Sequence, residues 1–124
     1  MADVIKVDDL AGEIVLAVKT YTEEVGAAIE EAVKETARAL AADLRETSPK
    51  KTGEYAKGWT ARKEGPGKYV VYNKKKPQLT HLLEHGHAKR GGGRVEGRPH
   101  IGPAVDKHIP AMERRIEQII ERGG

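Results

Sequence analysis

The sequence predicts an α+β fold in which a long N-terminal helix and a C-terminal helix pack on a small antiparallel β-sheet, with a long glycine-rich loop before the last helix. Three observations predict it. Val25, Ile29, Val33, Leu40 and Leu44 recur at helical strides with alanines filling the same face. The β-prone run Tyr69, Val70, Val71, Tyr72 follows a Gly65-Pro66-Gly67 turn. Val105, Ile109, Met112, Ile116, Ile119 and Ile120 trace a second helical stripe near the end. The 124 residues read as one domain, with 1–47 helical, 48–77 a β-hairpin, 78–102 a short helix and a loop, and 103–124 the C-terminal helix.

Taken in order, Asp8 and Asp9 stand where a helix N-cap belongs, and Leu10, Ile14, Val15 and Val18 follow at helical spacing, so a short first helix is expected. Thr20 and Glu23 match a capping box that opens a long helix over about residues 22–45. Ser48-Pro49 ends it, because proline lacks an amide donor and drives the preceding residue out of the helical region. An extended segment over residues 55–63 pairs with 68–72 as an antiparallel hairpin. Trp59 and Tyr72 are expected on its inner face, since a chain without phenylalanine has few other large apolar groups. Leu79, Leu82 and Leu83 make one or two helical turns ending at Gly86. Pro103 suits the first turn of the last helix, and Pro110 should kink that helix or move its start to about residue 109.

Composition narrows the function classes. No cysteine means no disulfide framework or thiolate site, and no window approaches eighteen apolar residues, so no membrane span is expected. The first residues lack a basic stretch followed by an apolar run, which predicts a cytoplasmic product. The net charge of +3 conceals a segregation: residues 1–47 carry eleven acids and five bases (net −6), and residues 48–102 carry four acids and thirteen bases (net +9). Such blocks can pair between neighbouring subunits, or the basic one can meet nucleic-acid phosphate through Lys50, Lys51, Lys57, Arg62, Lys63, Lys68 and the run Lys74, Lys75, Lys76.

Residues 79–105 concentrate four of the five histidines with the run Gly91, Gly92, Gly93 and then Gly97. Glycines offer no side chains to bury, so this stretch reads as a mobile loop or one ordered by a partner. Within it, His81-Leu82-Leu83-Glu84-His85 is an H-x-x-E-H string, which on a helix can hold zinc through His81 and His85 with Glu84 as general base. Gly86 ends that helix at once, leaving the ligands without a rigid continuation. A structural metal held by His81, His85, His87 or His100 is the better supported of the two metal readings, since imidazoles can gather around a loop without supporting chemistry. The favoured reading makes Glu84 an acceptor for loop amides or a histidine, and expects no cofactor and no catalytic residue. Gly91-Gly92-Gly93-Arg94 lacks the lysine spacing of a phosphate loop, and the sole serine, Ser48, has no expected histidine neighbour.

A family resemblance rests on several pieces in order. They are Ser48-Pro49-Lys50-Lys51-Thr52-Gly53 with Tyr55 and Trp59 following, Val71-Tyr72-Asn73-Lys74, residues 78–87 around the H-x-x-E-H string, Gly92-Gly93-Arg94-Val95, and Arg98-Pro99-His100-Ile101-Gly102-Pro103-Ala104. With these the chain resembles the tailed-phage tail-component family typified by the gene-ten product of phage HK97, tail-completion or head–tail joining proteins. The resemblance implies a virion protein, present in the host bacterial cytoplasm before assembly, that forms a homo-oligomeric ring, commonly of six subunits, with other neck and tail proteins around the DNA channel. The glycine-rich stretch itself reads as the assembly loop, with Glu84, His87, Arg94, Arg98 and His100 as its contact residues. The resemblance makes Lys74, Lys75, Lys76, Lys89 and Arg90 contacts for a partner or for channel DNA, non-specifically. Arg98 is the expected side-chain partner of Glu84.

Overall fold

The computed structural model describes residues 5–10, 12–18 and 23–123. The first departure from expectation comes at once: in place of a short helix there are two antiparallel strands, β1 (Ile5–Leu10) and β2 (Glu13–Val18). Leu10, Ile14, Val15 and Val18 satisfy a helical stride, but Ile14, Leu16 and Val18 also alternate, and that period of two is the one the core uses. β-Branched side chains at most of these positions favour the extended form further. The capping box at Thr20 falls outside the described residues.

Helix α1 (Glu23–Thr47) follows the predicted stripe, burying Ile29, Ala32, Val33, Ala37, Leu40, Ala41 and Leu44. It ends as the sequence requires. Ser48 donates its amide (3.0 Å) and its hydroxyl (2.5 Å) to the Leu44 carbonyl, and Pro49 has no amide with which to continue. A single turn, α2 (Glu54–Lys57), opens after Gly53 at φ 84°, so residues 55–57 are helical and not extended as expected. Strands β3 (Trp59–Gly65) and β4 (Lys68–Asn73) then form the predicted hairpin, giving a four-stranded sheet in the order β1-β2-β4-β3.

Registers fix the two faces of this sheet. Ile14 lies opposite Val71, Leu16 opposite Tyr69 and Trp59 opposite Asn73, and these residues face α1. Tyr72 does not. It alternates onto the outer face, where the Arg62 guanidinium lies 4.5 Å from its ring centroid, and Tyr69 takes the place expected for it. Beyond β4, a 3₁₀ turn (Pro77–Leu79) leads into α3 (Thr80–His85), the predicted short helix.

The glycine-rich stretch is a small ribbon of its own, β5 (Gly86–Ala88) paired with β6 (Arg94–Glu96), hydrogen-bonded to neither edge of the main sheet. Its base is a close backbone crossing: a Cβ on Gly97 would lie 2.6 Å from the Glu84 carbonyl oxygen, and Gly86 has φ 80° and ψ 179°, a region essentially restricted to glycine. Helix α4 (Ile101–Arg122) packs along α1. It begins at residue 101 and runs through Pro110, so its start is not moved to about residue 109. Pro110 and Asp106 are both exposed, so the Asp106 carbonyl that loses its helical donor stays accessible to water.

Candidate functional site

Helix α4 starts with no side chain of its own capping the first amides, although those of His100, Ile101 and Gly102 lack helical acceptors, Pro103 having no N–H. Glu84 supplies what is missing from sixteen to eighteen residues upstream. Its Oε1 accepts from the amides of His100 (2.7 Å) and Ile101 (2.8 Å), and its Oε2 from the amide of Gly102 (2.9 Å). A carboxylate in that position also meets the positive end of the α4 dipole. Burial would raise the Glu84 carboxyl, but hydrogen bonds from the His100, Gly102 and Ile101 amides together with the His100 ring outweigh it and hold the group below the usual carboxylate range.

The His100 ring completes the clasp. Its Nδ1 lies 3.0 Å from Glu84 Oε1 and 2.8 Å from the Arg98 carbonyl oxygen, two acceptors that assign the proton to Nδ1. Nε2 is 2.7 Å from the Tyr55 hydroxyl. Burial, and then the Glu84 charge, push the Tyr55 hydroxyl well above the ordinary tyrosine range, so it stays protonated and donates to Nε2. Around this pair the ring edges meet: Tyr55 with Trp59 at 5.7 Å between centroids and Tyr55 with His100 at 5.5 Å, both near perpendicular. Trp59 Nε1 donates to Ser48 Oγ at 2.8 Å, and Arg45 donates to the Trp59 carbonyl at 2.7 Å. Asn73 donates to the Tyr55 carbonyl at 2.7 Å, and its Oδ1 receives the amides of Lys75 and Lys76. Ser48, Tyr55, Trp59, Asn73, Thr80, Glu84 and His100 are all buried. The polar letters of the motifs thus hydrogen-bond the end of α1, the hairpin, α3 and the start of α4 into one node.

This geometry separates Glu84 from the histidines on either side of it. His81 and His85 are exposed on the outer side of α3 with rings stacked 6.1 Å apart, whereas Glu84 faces inward and spends both oxygens on amides. The H-x-x-E-H string therefore does not place its glutamate beside its imidazoles, as a zinc-bound water and its base require. Among the described residues no group of three or more His, Asp or Glu side chains is placed to hold a metal ion.

Of the five residues expected in an assembly loop, the fold brings only Glu84 and His100 together. His87 is exposed on the ribbon, and Arg94 donates to the His85 carbonyl at 2.6 Å, bracing the ribbon base. Arg98 corrects the expectation that it pairs with Glu84. Its side chain is exposed, and it serves the clasp through its backbone, giving its amide to the Leu83 carbonyl at 2.7 Å and its carbonyl to His100. Lys74, Lys75, Lys89 and Arg90 are exposed, while Lys76 is half-buried with its ammonium 3.8 Å from Glu54. Tyr55, Ser48 and Asn73 join the site beyond the expected residues, as buried polar groups inside the quoted motifs.

Comparison with known proteins matches residues 12–86 to a family model described as "Bacteriophage HK97-gp10, putative tail-component". The matched span runs from the start of β2 to the end of α3 and contains Ser48, Tyr55, Trp59, Asn73 and Glu84. No curated protein and no solved structure matches the chain. The family match covers more than half of the 124 residues and includes the Glu84 side of the clasp, and on that ground the chain belongs to the HK97-gp10-like family of bacteriophage tail components.

Proposed function

We propose that this tail component is a structural protein of a siphophage or prophage virion that completes the tail or joins it to the head, assembling as a ring around the DNA channel. The observation that carries this reading is the use made of the motif residues: the buried node spends Glu84, His100, Tyr55, Trp59 and Asn73 on internal hydrogen bonds and leaves a basic ribbon and a basic corner exposed for contact. Residues committed in this way to one another build a scaffold. Electron microscopy of particles made without this protein tests the reading. Unjoined heads and tails are the expected result, and normal joined virions would contradict it.

The exposed cations favour a second reading for part of the surface. Lys50, Lys51, Lys74, Lys75, Lys89 and Arg90 all face solvent, whereas Lys63 lies 2.7 Å from Glu30 and Arg62 lies 3.2 Å from Glu64. Non-specific contact with channel DNA through the first group would show as an affinity that falls steeply with salt, and Lys74→Ala would flatten the slope by about one unit in the logarithmic plot.

A further inference from the structure

Leu82 and Val95 are the exposed large apolar side chains among the described residues, at 41% and 38% exposure, and both line one groove. That groove, of about 550 Å³, lies between α3, the β5–β6 ribbon and the corner after α1, with Pro49, Leu79 and Leu83 as its other apolar walls. A second depression of about 360 Å³ shares Pro49, Leu79 and Leu83 and extends it toward Tyr55. Its rim is cationic: Lys50, Lys51 and Arg98 stand around the first depression against a single acid, Glu96, and Lys76 borders the second.

We propose that this groove receives the exposed face of helix α1 from a second copy of the chain, an inference that rests on the ring reading above and supplies its contact surface. Helix α1 exposes Glu23, Glu24, Glu31, Glu35 (paired with Arg115) and Glu46 against Arg38 and Arg45, an acidic excess, with Ala27, Ala39 and Ala42 between them. Short alanines leave room for Leu82 and Val95 to approach the helix, and the glutamates complement the lysine rim. Groove against groove would oppose two basic rims and is disfavoured, so the groove pairs with α1. One such contact per pair of subunits is head-to-tail, the kind that closes a ring or extends a filament, whereas two reciprocal contacts would stop at a two-fold dimer, which the mass measurement below separates.

Mass in solution of four chains tests this: the wild type, Leu82→Glu with Val95→Glu, Lys51→Glu, and Lys51→Glu with Glu31→Lys. The wild type is expected as a closed oligomer, and the Leu82→Glu/Val95→Glu chain as a monomer with unchanged circular dichroism and melting temperature. Lys51→Glu should weaken association about tenfold, and adding Glu31→Lys should recover most of that loss. An oligomer untouched by Leu82→Glu/Val95→Glu would overturn the groove while leaving the ring reading intact. Lack of recovery in the double charge variant would overturn α1 as the occupant. A wild type that is monomeric alone and assembles only with another virion protein would overturn the second copy, and one that assembles with nothing would overturn the ring reading as well.

Discussion

At Glu84 one carboxylate carries contacts that link residues distant in the chain, and its environment decides what the side chain can do. Three amides and an imidazole N–H converge on two oxygens, which favours the ionised form despite burial. Glu84→Gln keeps the shape but replaces one acceptor oxygen with an NH₂ facing donors, so equilibrium unfolding should show a loss of about 1–3 kcal/mol at neutral pH. The sign with pH follows from the lowered carboxyl. Its contribution is fully present above the unfolded value of about 4.3 and is lost as pH falls through the folded one, so the wild-type advantage over Glu84→Gln should shrink on acidification. Trp59 belongs to the same scale. It is 1% exposed and hydrogen-bonded through its indole to Ser48, and Trp59→Ala should cost about 3–5 kcal/mol in denaturant unfolding. A near-neutral result would place the ring on a contact surface and not in the core.

Among the elements, what could be read in the sequence divides along physical lines. Helix α1, the β3–β4 hairpin and helix α4 were legible because each carries a long periodic pattern or a turn between β-prone runs. The β1–β2 hairpin was not, since Leu10, Ile14, Val15 and Val18 fit a helical stride while Ile14, Leu16 and Val18 fit a period of two over so short a stretch, and only packing on α1 chooses between them. Tyr72 was misplaced for a related reason: a one-residue difference in register exchanges the faces of the sheet. The β5–β6 ribbon was hidden because three-residue strands beside glycines carry no pattern, and its base is set by the Arg98 amide reaching back to Leu83. The same features predict its dynamics. Exposed glycines at Gly92 and Gly93 with φ of 101° and 81° form the turn, so the amides of Gly91 and Gly93 should exchange fast, that of Gly92 held only by a 3.3 Å bond to the Lys89 carbonyl, while the Arg98 amide is protected. Hydrogen exchange on the isolated chain checks this, and strong protection at the tip would contradict it.

For the whole molecule, the acidic and basic blocks of the chain are partly joined within it, through Lys63 with Glu30 and Arg62 with Glu13, and the remaining exposed charges are in acidic excess on α1 and basic excess around the groove. The Glu84 site was half legible: the sequence indicated a carboxylate receiving amides or a histidine, while the identity of those amides, those at the start of α4, depended on a long-range contact that no spacing reveals. Because that contact ties α3 to α4, and α4 packs along α1, thermal unfolding followed by far-ultraviolet circular dichroism and by Trp59 fluorescence should give coincident transitions. The central claim is that Glu84 is a clasp on the first turn of α4, not a proton-transferring base. Carbon-detected NMR titration of the Glu84 carboxyl, read alongside the Ile101 and Gly102 amides, tests it most directly. The clasp predicts a midpoint below the usual carboxylate range, with both amides shifting at the same pH; a midpoint above that range, with the two amides unresponsive, would contradict it.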